Sequence, residues 1–113
     1  MAEVLGMFEQ AVLLALLRPA TTLGREAYGR AILKEVQARL QRQVSAGAVY
    51  ATLERLEAKG LVSSRLGPGT AIRGGRPRRY YTIEAPGLRA LNEARTTAKR
   101  LWADVRLPLK GTA

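Results

Sequence analysis

The strongest constraint on this chain lies between Glu26 and Gly60, where two helix-forming stretches are separated by only the short loop Gln41 to Val44. The first stretch predicts a helix from Glu26 to about Gln41. Ala27, Ile32, Val36 and Leu40 recur on one face, with Arg30, Lys34 and Arg39 mostly off it. Gly29 inside such a helix costs about 1 kcal/mol against alanine, and it marks close packing or a local break. Ser45 suits an N-cap, because its hydroxyl can accept a bond from an unpaired amide of the first turn. The run AGAVYATLERLEAK follows, and Gly60 closes it as a C-cap. Helix, tight turn and capped helix outline a helix-turn-helix.

The flanks extend that outline. Residues 3–18 read as a helix through Val4, Met7, Phe8, Val12, Leu13, Leu16 and Leu17. Leu14 and Ala15 make it apolar nearly all round, so more than one side needs a packing partner. Pro19 ends it, and residues 19–25 carry turn chemistry. After Gly60, Leu61 to Leu66 and Arg79 to Ile83 read as strands. The intervening GPGTAIRGGRPR has the glycine and proline content of a hairpin tip, the wing of a winged helix. Pro86 suits the first turn of a last helix, in which Leu88, Leu91, Ala94, Ala98, Leu101 and Val105 recur at three or four and Trp102 widens the stripe. Pro108 and Gly111 mark a frayed tail. The expected fold is mainly α with a small β-hairpin. A winged helix-turn-helix spans 1–84, a C-terminal dimerisation helix 85–107, and a flexible tail 108–113.

With 113 residues the chain fits one domain, and its charge is one-sided: 19 Lys and Arg against 9 Asp and Glu, a formal net charge of +10. Such a surface attracts nucleic acid, an anionic membrane or an acidic protein. Cysteine and histidine are both absent, which removes disulfides, thiol chemistry, the commonest general base and the commonest metal ligand. The acids are few and scattered, and Glu54 and Glu57 share their helix with Arg55 and Lys59. No enzyme, metal or cofactor is expected. The apolar run Ala11 to Leu17 is too short to span a bilayer, and Glu3 and Glu9 precede it where a secretory signal needs positive charge. A cytoplasmic protein follows, with no membrane partner.

On a helical wheel, Val49, Leu53 and Leu56 form the inner stripe of the third helix, bordered by Glu57 and Tyr50 on one side and Thr52 on the other. Gly47, Ala48, Ala51 and Arg55 point the opposite way. Small side chains let a helix approach the floor of a major groove. Arg55 and Thr52 can reach a base edge or a phosphate, and the helix N-terminus with Ser45 suits a phosphate. Arg65, Arg73, Arg76, Arg78 and Arg79 lie in or beside the wing, placed for phosphates or a minor groove. A chain this small cannot easily cover both its apolar first helix and a last helix carrying Leu101 and Trp102. A homodimer buries them against their symmetry mates. Its candidate interface is Phe8, Val12, Leu88, Leu91, Ala98, Leu101, Trp102 and Val105. Trp102 reads first as a dimer-core aromatic, and alternatively as the wall of a site for a small apolar or aromatic effector.

Four segments taken together resemble one family: LGMFEQAVLLALL at Leu5 to Leu17, AYGRAI at Ala27 to Ile32, VSAGAVYATLERLEAKGLVSSRL at Val44 to Leu66, and RGGRPRRYY at Arg73 to Tyr81. Their order and spacing are similar to those of the PadR family of bacterial transcriptional regulators, over roughly residues 5–91. The resemblance implies a winged helix-turn-helix with a dimerisation helix, binding operator DNA and usually repressing transcription. It would sit in a bacterial cytoplasm, nucleoid-associated when bound. By position, Ser45, Gly47, Tyr50 and Thr52 fall in or at the start of the recognition helix, and Arg76, Arg78 and Arg79 in the basic wing. The chain resembles the short branch, which lacks an extra C-terminal domain. Some short members bind aromatic or cationic compounds between subunits. Two positions depart from the pattern: PATT at Pro19 to Thr22 lengthens the first loop, and Glu84 stands where threonine commonly caps the last helix.

Two other classes compete with a double-stranded DNA reader. An RNA-binding protein needs stacking aromatics on a sheet, and Tyr80 and Tyr81, adjacent on one strand, face opposite sides. A protein-interaction winged helix would turn the same basic face to an acidic partner.

Overall fold

A computed structural model describes residues 4–18, 21–23, 26–67 and 78–110, with backbone alone at 22, 23 and 26. The elements run α1 (Met7–Ala15), β1 (Thr22–Leu23), β2 (Glu26–Tyr28), α2 (Gly29–Leu40), α3 (Ala46–Ala58), β3 (Val62–Leu66), β4 (Arg79–Ile83) and α4 (Ala85–Trp102). The fold is mainly α with a small antiparallel sheet, as the sequence predicts.

The first helix is shorter than its apolar pattern. It starts after Gly6, whose N–H donates to the Glu9 carboxylate at 2.9 Å, the half of a capping box that needs no side chain on the cap. It closes in a turn where Leu16 and Leu17 donate to the carbonyls of Leu13 and Leu14. Thr21 is buried and donates to the carbonyls of Ala15 and Arg18, which seats it against the end of α1 and the turn that follows.

The second helix begins three residues later than expected. Glu26 to Tyr28 form a strand, pairing with β1 on one side and with β4 on the other through Ala27↔Tyr81 and Tyr28↔Tyr80. Ala27 is buried as expected, but against the sheet. Gly29 therefore sits at the start of α2, where the interior penalty does not apply. A Cβ there would run into the Tyr50 ring. Ile32 and Val36 face the core, and Gln37 Nε2 donates to the Val44 carbonyl at 2.7 Å, bracing the tight turn.

The third helix follows its local signals. Ser45 Oγ accepts from the Ala48 amide at 3.1 Å. At the other end Gly60 takes φ 78°, its amide bonds the Glu57 carbonyl, and that of Leu61 bonds the Leu56 carbonyl. This is the Schellman pattern, with Leu56 and Leu61 both buried beneath it. The sheet order is β1-β2-β4-β3, and β3 and β4 pair in register from Val62↔Ile83 to Leu66↔Arg79. Val12, Leu13, Ile32, Val36, Val49, Leu53 and Leu56 form the centre of the core.

The last helix opens at Glu84, which makes no side-chain cap; its carboxylate accepts from Ser63 Oγ instead. Gly87 and Ala90 bury its first turns, but from Thr97 onward every residue of α4 is exposed. The helix stops at Trp102 because Ala103 leaves helical geometry at ψ 131°, and Asp104 then turns left-handed at φ 61°. Val105 thus lies outside the helix expected over 85–107, with its amide bonded to the Trp102 carbonyl. The projecting helix gives a radius of gyration of 16.4 Å, against about 13 Å for a compact chain of this length.

Candidate nucleic-acid interface

The local chemistry of Ser45 fixes where α3 starts, and the burial of Val49, Leu53 and Leu56 fixes which way it turns. Gly47, Ala48, Ala51 and Arg55 are left in solvent, as the wheel predicts, with Tyr50 half out beside them. Thr52 is different. It is 1% exposed and cannot reach a base or a phosphate. It stands three residues after Val49 and four before Leu56, inside the buried stripe rather than on its border. Its Oγ1 accepts a bond from Arg55 Nη2 at 3.0 Å, so Thr52 orients the arginine it was expected to work beside. A shallow groove of about 420 Å³ runs along this face from Arg42 and Ser45 past Ala48 and Ala51 to Arg55. Phe8 lines its far side. The sequence expects Phe8 at the dimer interface; the structure puts it next to α3, away from the apolar groove between α1 and α4.

The wing's root carries the remaining cations. Arg65, Arg78 and Arg79 are exposed, while Arg73 and Arg76 lie outside the described residues. Arg79 Nη1 donates to Ser64 Oγ at 2.9 Å, and that hydroxyl donates on to the Glu57 carboxylate. Arg79 thus links β4 to β3 and, through Ser64, to α3. Tyr81 is buried beside this link. Burial raises its phenol above the ordinary value, and Glu57 and Glu54 add to the rise against the opposing charge of Arg79. Arg65 and Arg78 lie on the sheet's other face, over the rings of Tyr80 and Tyr28. Tyr28 escaped the sequence reading because its short strand is defined by its pairing with β1 and β4 rather than by its own residues. Arg42 was missed as well. Its signal was its place in the loop just before the cap.

Among the described residues, no cluster of His, Cys, Asp or Glu fit to hold a metal occurs, and no helix is long and apolar enough to cross a membrane.

A second surface lies between α1 and α4, an apolar groove of about 430 Å³. Leu88, Leu91 and Ala98, which the sequence expects at the dimer interface, line it, and Leu14 of α1 and Leu17 of the turn after α1 join them. Val12 does not. It is fully buried in the core of its own subunit and has no surface to offer a partner. Leu101 and Trp102, 73% and 59% exposed, continue the apolar stripe along the projecting end of α4, and the exposed Val105 follows just beyond the helix.

Comparison with known proteins matches this architecture. The profile of the PadR-like family of transcriptional regulators fits residues 16–93. A PadR-like transcription factor from Bacteroides fragilis superposes with a TM-score of 0.69 at 28% identity, covering 85% of this chain and 84% of its own. A PadR family transcriptional regulator from Eggerthella lenta gives 0.61 at 31% identity, covering 80% and 72%. F93 from STIV, described as a winged-helix DNA-binding protein, shares the fold at a TM-score of 0.67 and 13% identity over 92% and 100%. No match is found among curated proteins.

Proposed function

The chain belongs to the PadR-like family of transcriptional regulators, a DNA-binding regulator by that membership, and we propose that it acts as a homodimeric repressor on a palindromic operator. Each subunit lays α3 in a major groove. Arg55, held by Thr52, reads a base edge or a phosphate, while Ala48 and Ala51 let the helix backbone approach closely. Ser45, Gly47, Tyr50 and Arg42 border the same groove or its mouth. Arg65, Arg78 and the other wing arginines neutralise phosphates alongside. Repression follows from occupancy: a bound dimer excludes other proteins from the operator.

The observation that carries this reading is the exposed small-residue face of α3, with cations at both its ends, in a chain of net charge +10. The dimer rests on the apolar α1–α4 groove and on the unpartnered end of α4, surfaces too apolar to stand in solvent. A small aromatic effector beside Trp102, at the seam between subunits, could release the DNA.

Selection of bound sequences from a random duplex pool tests the proposal. A palindrome is expected. Recovery of sequences without symmetry, or tighter binding of RNA than of duplex DNA of equal length, would contradict it. The RNA reading gains Tyr28 on the same sheet face as Tyr80. It also loses ground, because each ring already has a guanidinium over it where a base would stack.

A further inference from the structure

The register of the sheet sets Arg65, Tyr80 and Tyr28 in one row across three strands. Arg65 is the cross-strand partner of Tyr80, and Tyr80 that of Tyr28. Cross-strand partners share a face, and Arg78, two residues before Tyr80, joins the same face. Contacts follow that order. Arg65 Cζ lies 5.0 Å from the Tyr80 ring centroid. The two tyrosine rings meet edge to face at 6.4 Å and 66°. Arg78 Cζ lies 4.6 Å from the centre of the Tyr28 ring. All are within the range of attractive ring–ring and cation–ring contact. Gly67 borders the row at its wing end: its amide donates to the Arg78 carbonyl at 2.7 Å, and a Cβ there would strike the Tyr80 ring.

We infer that Tyr28 and Tyr80 are positioning residues of the DNA interface, holding Arg78 and Arg65 at the two legs of the wing in the orientation that meets phosphate. The inference rests on the DNA-binding reading above. A guanidinium stacked on a ring presents its N–H groups in its own plane, so ring contact and bidentate phosphate contact are compatible. An arginine ordered before binding loses less freedom on contact than one ordered by the DNA. The rings therefore raise affinity without touching the duplex. The dependence falls on Tyr28 in particular, because it reaches the wing from a strand that is distant in sequence.

The test is a double-mutant cycle on a random-sequence duplex, titrated with salt. Tyr28→Leu should weaken binding about two- to tenfold and keep the wild-type salt slope, because the charge remains. Arg78→Ala should lower the slope of log affinity against log salt by about 0.9. If Tyr28 acts through Arg78, Tyr28→Leu in the Arg78→Ala background costs less than about twofold more, and Tyr28→Phe, which keeps the ring, binds as wild type does. Equal losses in both backgrounds, or a Phe variant as weak as the Leu variant, would mean only general damage and overturn the inference. Should Tyr28→Leu not fold, the free wild-type protein decides: the Arg78 side-chain protons must show an upfield ring-current shift, and its absence overturns the inference. If wild type binds no duplex at all, the DNA-binding reading fails first. If wild type and Arg78→Ala behave as expected and the cycle is additive, only the tyrosine role fails.

Discussion

Replacing Trp102 with aspartate should split the proposed dimer and leave the subunit folded. The indole is 59% exposed in the single subunit. On roughly 250 Å² of side-chain surface, that leaves roughly 150 Å² for a partner to cover. At about 25 cal/mol per Å², this is worth about 3–4 kcal/mol per copy, or about 7 kcal/mol for the two copies of a symmetric dimer. Each 1.4 kcal/mol is about a tenfold change in Kd, so even half of that burial weakens the dimer by more than about two orders of magnitude. Because Trp102 has little to pack on within its own subunit, Trp102→Asp should change the unfolding free energy by less than about 0.5 kcal/mol. Sedimentation across a concentration series reads the first effect, and urea denaturation of the monomer the second. Trp102 is the sole tryptophan, so wild-type emission should shift to longer wavelength as the protein is diluted through its Kd. Pairing the change with Leu101→Asp should remove residual dimer, since Leu101 is 73% exposed on the same stripe. A Trp102→Asp/Leu101→Asp protein that remains a soluble dimer, or a wild-type dimer whose indole emits as if fully solvated, would refute the reasoning.

Other expectations follow from named contacts. Arg55→Ala should lower the operator-to-random affinity ratio by about 1–3 kcal/mol if the side chain reads a base edge, whereas Arg78→Ala should weaken both DNAs alike; competition binding on the two duplexes separates the cases. Thr52→Val keeps the buried shape but removes the oxygen that accepts from Arg55, so part of the Arg55→Ala loss should appear with only a small change in thermal midpoint. Gly87→Ala should cost about 1–3 kcal/mol in urea denaturation, because its Cβ would press on the Leu61 backbone carbonyl, which cannot swing aside as a side chain can. Burial alone would raise the Glu9 carboxyl. The Gly6 amide, Lys59 and Arg55 outweigh it and hold the group below its ordinary 4.5. A lowered folded pKa stabilises above the unfolded value and is lost as pH falls through the folded one. Thermal melts of wild type and Glu9→Gln should therefore differ by a constant amount above about pH 5.5 and converge in more acid solution.

What the sequence disclosed was whatever a few neighbouring residues decide. Ser45 and Gly60 bracket α3 because capping needs only a hydroxyl or a positive φ at the right offset, and the Arg79–Ile83 strand is β-rich along its whole length. The misplaced features depend on partners far away in sequence. Residues 26–28 are a strand because β1 and the Tyr80–Tyr81 stretch of β4 lie alongside, and neither Glu26 nor Ala27 favours a strand by itself. The all-round apolarity of α1 correctly implied two packing surfaces. It could not say that Val12 faces the subunit's own core while Leu14 and Leu17 face the groove with α4. The three-and-four spacing carries on through Val105, so periodicity extends the last helix beyond the point where the backbone of Ala103 and Asp104 leaves it.

The burial of Thr52 changes how the proposed reader must work. With Thr52 inside, the exposed outer face of α3 offers glycine, two alanines and one long donor, Arg55. An alanine can favour a thymine methyl by apolar contact, and one arginine can choose a guanine, but this inventory cannot specify more than a few base pairs per half-site. Discrimination must then draw on terms that belong to the assembly. In the proposed dimer, two α3 helices fixed by the α1–α4 seam would accept only half-sites at the separation the dimer imposes, about one helical turn or a multiple of it. Wing arginines held at a fixed spread respond to groove width and so to the shape of the duplex. On this view the seam around Trp102 is part of the specificity apparatus as well as a source of stability. The proposed effector would need no contact with the DNA surface: in the proposed dimer, a small rotation of one subunit against the other would take both helices out of register at once.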